Sequence, residues 1–249
     1  MDEHLTQDER NLIQSAAEFA RRQVPGQLGE WERAGRMPQA TLKAAVDAGL
    51  LSIQVPVAYG GRGFGYRCKM RVTEEISRVS MAAAFSLVNL QNVAAKLAND
   101  ATEPAAREFV PKLMVCERFG ATALTEPHAG TDFSNIAMQA HRVDGGWSLS
   151  GEKSWITNAV FADVFVCYAQ TDAALGWRGI GCFLVDAKRD GFARAPAIDV
   201  FGGKAIGAGG FQLSDFFVPD EHLIHPPGEA FKKALGSING ARTYVAAMC

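Results

Sequence analysis

Two short segments concentrate side chains that could do chemistry. The first is Ala123-Leu124-Thr125-Glu126-Pro127-His128-Ala129-Gly130-Thr131-Asp132, which mixes hydroxyls, carboxylates and an imidazole with Pro and Gly. Pro and Gly bend the backbone so that N–H groups and hydroxyls face one side, and such a turn can hold a phosphate or the polar edge of a heteroaromatic ring. On these residues alone, a plain surface turn is the simpler reading. The second segment is Gly151-Glu152-Lys153-Ser154-Trp155-Ile156-Thr157-Asn158-Ala159. A large aromatic beside a hydroxyl and an amide suits stacking on a flat ring while donating to its edge. A core Trp followed by a turn would leave the same pattern. A glycine-rich run from Val55 to Gly65 neither follows a strand nor matches a P-loop, so a phosphate cradle is its weaker reading.

These segments must be positioned by two kinds of element. The first half of the chain reads helical. Leu12, Ile13, Ala16, Ala17, Phe19 and Ala20 recur at helical spacing after Thr6, an N-cap candidate with Glu9 three residues on. Val24-Pro25-Gly26 breaks that helix. Further helices are expected from Thr41 to Leu51, from Tyr66 to Leu97 as one long stretch, and from Pro104 to Val115. From Phe119 onward apolar residues alternate between glycine breaks, as in Val164 to Tyr168 and Gly181 to Val185, and Val143-Asp144-Gly145-Gly146-Trp147 signals a hairpin. A run of helices and then a run of strands predicts an α+β, multidomain chain. Residues 1–118 form the helical domain, 119–226 a central antiparallel β-sandwich or barrel, and 227–249 the start of a further helical region. In that last region Phe231, Ala234, Leu235, Ile238, Ala241, Tyr244, Val245 and Met248 form an apolar stripe. A stripe with no following element to cover it is expected to belong to a longer chain, or else to dock on a partner subunit.

The 249 residues are 48% hydrophobic and 21% charged, with a formal net charge of -2, an ordinary globular balance with no electrostatic case for nucleic acid or an anionic membrane surface. The start Met1-Asp2-Glu3-His4 lacks the basic and apolar parts of a signal peptide, and no apolar run is long enough for a membrane helix, so a cytoplasmic protein is expected. Cys68, Cys116, Cys167, Cys182 and Cys249 make no CxxC pair, which argues against a disulfide framework or a metal site.

In this order the two segments resemble the acyl-CoA dehydrogenase family, whose pattern is T-E-P-x-A-G-S/T-D followed by G-x-K-x-W-I-T-N. Val55-Pro56-Val57-Ala58-Tyr59-Gly60-Gly61-Arg62-Gly63, the strand from Phe211 to Pro219, and Asn239-Gly240-Ala241-Arg242 are similar to further parts of it. The resemblance implies a helical domain, a β domain and the first helix of a truncated C-terminal bundle. It implies FAD as cofactor and the α,β-dehydrogenation of an acyl-CoA thioester in fatty acid metabolism. It further implies an electron-transfer flavoprotein or similar acceptor, and a homo-oligomer, either dimer or tetramer. Carried over, Leu124 and Thr125 meet the pyrimidine edge of the flavin, Gly130 and Thr131 hold the pyrophosphate, Trp155 packs on the ring, and Ile156 and Thr157 reach its O4 and N5 side. Arg242, Val88 and Thr131 are the implied substrate contacts, with Leu90 and Asn92 on the same helix as Val88. Most family members place the catalytic glutamate in the C-terminal bundle, and a minority place it where Ala241 stands here. No catalytic residue is therefore expected within this chain, which alone should be inactive. Lys204 replaces a usual Arg, and the Ala205 to Gly210 stretch replaces more polar residues, which leaves room for a flavin monooxygenase or oxidase of the same superfamily. A non-catalytic relative or interaction scaffold is the alternative from another class.

Overall fold

The structure, a computed structural model, describes residues 2–249. Helix α1 (Gln7–Gln23) starts at a full capping box: Thr6 Oγ1 accepts from Glu9 N at 3.2 Å, and Glu9 Oε2 accepts from Thr6 N at 2.9 Å. Helices α2 (Leu28–Ala34) and α3 (Gln39–Asp47) follow, then α4 (Tyr66–Ser77), α5 (Met81–Asp100) and α6 (Glu103–Met114). The stretch expected as one helix from Tyr66 is thus two. Ser80 caps the second by accepting from Ala83 N at 3.2 Å, so a local side chain competes with continuation of the first.

The eight-stranded sheet contains β1 (Gly120–Ala123), β2 (Gln139–Val143), β3 (Gly146–Ile156), β4 (Val164–Gln170), β5 (Ile180–Asp186), β6 (Phe192–Arg194), β7 (Gly209–Pro219) and β8 (Leu223–His225). The order is β6-β7-β3-β2-β4-β5-β8, with β1 on β4. The sheet is mixed. Most pairs are antiparallel, as expected, but β1 runs parallel to β4 from Gly120 opposite Val164 to Ala123 opposite Cys167. Asp144-Gly145 turns the β2–β3 hairpin, with Gly145 at φ 70°. Helix α7 (Ala230–Met248) follows β8.

Strand β4 shows how the two halves join, because every residue in it is buried. Period-two alternation sends Val164, Val166 and Tyr168 to a core shared with α5, α6 and α7, and Phe165, Cys167 and Ala169 to a second core with Phe183, Phe211 and Phe216. Each fully buried Phe contributes roughly 2–3 kcal/mol of transfer free energy. The helices approach the sheet closely: a Cβ on Gly120 would lie 2.6 Å from Val93 on α5. A third core lies within the helical half, around Trp31, Leu51 and Ile76.

Candidate functional site

The first motif begins where β1 ends. Glu126 and Ala129 exchange both backbone hydrogen bonds, at 3.0 and 3.1 Å, so Pro127 and His128 form a tight exposed turn. Beneath it lies a buried ion pair. Lys153 of β3 is fully buried, and its Nζ donates to Glu126 Oε1 at 2.7 Å and to Leu124 O at 3.0 Å. Glu126 also accepts from Ala137 N at 2.6 Å and Met138 N at 3.1 Å. Ser154 N donates to Thr125 O at 3.0 Å, which fastens the end of β3 to the turn. A buried pair is retained without large cost only when its remaining donors and acceptors are also filled, and here they are. Lys153 and Glu126 therefore position Leu124 and Thr125. Their role does not follow from local spacing, because the partners lie 27 residues apart.

The second motif is held in an unusual backbone. Trp155 sits at φ 58° and Asn158 at φ 65°, both in the left-handed region that non-glycine residues avoid. Trp155 is 60% exposed despite its size. Asn158 is buried, donates Nδ2 to Ser86 O at 3.1 Å, and accepts from Ser86 Oγ at 2.8 Å. Its backbone N–H reaches Ile206 O at 2.9 Å. The two strained residues bracket buried Ile156 and half-buried Thr157, tying this segment to α5 and to the turn at Lys204 to Ile206. Strain of this kind persists only where the surroundings over-determine it, and it collects at ligand sites.

Leu124, Thr125, Trp155, Ile156 and Thr157 are thus brought onto adjoining segments by the Lys153–Glu126 pair and the Ser154–Thr125 bond. Gly130 and Thr131 lie exposed after the turn, and Asp132 accepts from Ser134 N at 3.2 Å. The donor set is neutral, made of hydroxyls and amides around one open indole face. That chemistry fits a flavin, whose ring stacks on aromatics and whose edge accepts hydrogen bonds.

A cleft of about 550 Å³ opens between α4, α5 and α7, and Ala241 lines it. Arg242 is exposed, donates to Asn239 Oδ1 at 2.8 Å, and does not line the cleft. Val88 is packed in the helical core; from the same helix Asn89, Asn92 and Lys96 line the cleft instead. Asp100, also in its wall, accepts from Lys96 Nζ at 2.7 Å and lies 3.5 Å from His225 Nε2. Burial alone would raise its pKa, but hydrogen bonds from His225 and Lys96 outweigh that and hold it well below the usual carboxylate range. Lys69 of α4 lies in the wall at 4% exposure, and burial lowers its pKa to about 7.

Other residues singled out by sequence are absorbed structurally. The Gly61 N–H donates to Pro56 O and that of Gly63 to Val55 O, so these glycines have no free donors for a phosphate. A Cβ on Gly61 would lie 2.1 Å from the Val55 carbonyl oxygen, which accounts for a glycine there. Lys204 pairs through Nζ with Asp199 Oδ1 at 2.6 Å and lies outside the cleft. All five cysteines are free, four of them buried, and no His/Cys/Asp/Glu cluster able to hold a metal occurs among the described residues. No helix among them is long and apolar enough to cross a membrane.

Comparison with known proteins agrees with this layout. The family model for the acyl-CoA dehydrogenase N-terminal domain matches residues 6–117, and that for the middle domain matches 121–216. The chain is 30% identical over 246 residues to a mitochondrial 2-methylacyl-CoA dehydrogenase of Solanum tuberosum, covering 98% of this chain and 60% of that protein. It is 30% identical over 251 residues to a glutaryl-CoA dehydrogenase of Desulfococcus multivorans, covering 99% and 64%. A solved glutaryl-coenzyme A dehydrogenase in complex with glutaryl-CoA superposes with a TM-score of 0.93 at 30% identity, covering 100% of this chain and 64% of that one. The chain thus spans about three-fifths of the length of the curated relatives it matches.

Proposed function

The chain belongs to the acyl-CoA dehydrogenase family, and we propose that it forms the helical and sheet portions of an FAD-dependent enzyme for α,β-dehydrogenation of an acyl-CoA thioester. The observation that carries this reading is Trp155: a large aromatic kept exposed, in a left-handed backbone, between two anchored segments. Bound beside it, FAD would supply the two-electron acceptor for the β-hydrogen. Leu124, Thr125, Ile156 and Thr157 would hold the ring edge, and Gly130 and Thr131 the pyrophosphate. Uncharged donors there favour the charge that develops at the ring on reduction. Thr131 would meet the thioester, Ala241 would line its path along α7, and the cleft would exclude water from its acyl chain.

Removal of the α-proton is assigned to a carboxylate outside these residues. Ala241 has no acidic group, and Asp100 is held ionised by His225 and Lys96, which makes it a poor proton acceptor. The reading further implies an electron-transferring flavoprotein or similar acceptor, and a homo-oligomer. The Lys204 side chain faces Asp199 rather than the cleft, so the change from Arg does not reach it, while the Ala205 to Gly210 stretch meets the site segment through backbone bonds from Asn158 and Val160. The test is to add FAD to the purified protein and follow flavin fluorescence. Quenching in wild type and its loss in Trp155→Ala is expected; free-flavin fluorescence with both would end the proposal.

A further inference from the structure

The cleft between α4, α5 and α7 holds one buried lysine, Lys69, without a carboxylate beside it. Lys69 Nζ donates to Asn92 Oδ1 at 2.5 Å and lies 4.5 Å from the Tyr244 ring and 5.2 Å from the Tyr66 ring. An ammonium has three donors, and Asn92 takes one of them. That same oxygen already accepts from Gln91 Nε2 at 3.0 Å. Among the described residues no carboxylate pairs with Lys69, and burial pushes its pKa down. Tyr244 accepts from Asn92 Nδ2 at 2.9 Å, which leaves its own proton free to donate. Tyr66 gives its proton to the Gly240 carbonyl. Burial raises the pKa of both phenols, that of Tyr244 to about 12, so neither supplies a negative charge.

The molecule treats its other enclosed lysines differently. Buried Lys153 has Glu126, and the partly exposed Lys96 has Asp100. A buried ammonium with only aromatic faces and one amide is costly, and a methionine would fill the same volume without that cost. The arrangement becomes favourable once an acceptor with several lone pairs enters, and a carboxylate offers two oxygens to two waiting donors.

We infer that Lys69 and Tyr244 form a receptor for a carboxylate carried at the far end of the acyl group, so that the preferred thioesters are those of dicarboxylic acids. This rests on the acyl-CoA reading above. Ala241 lines the same cleft, so one acyl chain can lie along α7 with its distal end at Lys69.

The test uses the flavin-loaded protein and two length-matched probe pairs: glutaryl-CoA with valeryl-CoA, and adipyl-CoA with hexanoyl-CoA. Binding is measured by calorimetry near neutral pH. The carboxylated member of at least one pair is expected to bind roughly ten- to a hundredfold tighter, the range for a charge-assisted hydrogen-bond pair. Lys69→Met is expected to erase that preference, read as the ratio of the two affinities within each pair. Tyr244→Phe, which keeps the ring, lowers it roughly two- to tenfold. Equal or tighter binding of the neutral member in both pairs, in the wild-type protein, overturns the inference and leaves the acyl-CoA reading intact. Failure of all four thioesters to bind overturns both.

Discussion

Lys153 and Lys69 are both removed from water, and the two regions they occupy solve that problem in opposite ways. Near the end of β3, Lys153 meets a carboxylate and a carbonyl, and the carboxylate is itself filled by two backbone N–H groups. Every partner is protein, so that region is a finished scaffold that holds Leu124 and Thr125 in place. In the cleft, Lys69 has one amide and two ring faces. A finished network resists change, while an unfinished one is poised to accept a ligand. The contrast separates what positions a site from what recognises something in it.

The comparison predicts opposite signs for the two simplest substitutions. Glu126→Ala leaves Lys153 buried and unpaired, and strips the acceptor from Ala137 and Met138. A cost of about 3–5 kcal/mol is expected in urea unfolding. A loss below about 1 kcal/mol would mean that the pair adds nothing to the turn.

Lys69→Met should instead stabilise, by ~2–4 kcal/mol at pH 6. Its folded pKa of about 7 lies below the unaltered lysine value of 10.5. Between those values the unfolded chain holds more protons, so wild-type stability climbs with pH across that window. The advantage of Met is therefore full below about pH 7 and vanishes as pH approaches 10.5. Thermal melts of both proteins across that range check the sign, and an advantage that does not shrink with pH would assign it to packing rather than charge.

Asn158→Ala tests the tie between the sheet and α5. It removes the two side-chain bonds to Ser86 and puts a Cβ residue with no amide at φ 65°. About 1–3 kcal/mol should be lost. Asn158→Gly keeps the backbone conformation easy, so a smaller loss for Gly than for Ala would separate the backbone share from the hydrogen bonds.

Much of this architecture is legible in the sequence, and the exceptions have physical causes. The capping box at Thr6 and Glu9 and the Asp144-Gly145 hairpin are local, and both form as the spacing predicts. Helix α2 is only seven residues with Trp31 alone buried, too short to print a periodic pattern. The division at Ser80 is hidden because apolar residues at helical spacing (Val72, Ile76, Val79, Ala83 and Leu87) run straight through it, although Ser80 is itself the cap signal. The parallel β1–β4 pair joins residues 44 apart, a distance over which alternation carries no direction. Within the site, Trp155 and Thr125 stand out by type. Lys69 does not: a lysine in an amphipathic helix reads as solvated, and its burial depends on α5 and α7 arriving from either side. Lys153 is likewise silent until Glu126 is seen beneath it.

The smallest expected effect on stability should accompany the largest on the proposed cofactor. Trp155 is exposed and its indole has little burial to lose, so Trp155→Ala should change unfolding free energy by less than about 0.5 kcal/mol. Trp155→Gly should go further and stabilise by up to ~1 kcal/mol, because glycine adopts φ 58° without strain. If Trp155 were a structural residue, both variants would be destabilised through lost contacts. If it is a platform for a flat ring, both fold as well as wild type and neither quenches flavin fluorescence. The two measurements together, melting and quenching, set this strained, open residue against the paired and buried Lys153 a short way along the same strand: one is kept for a ligand, the other for the fold.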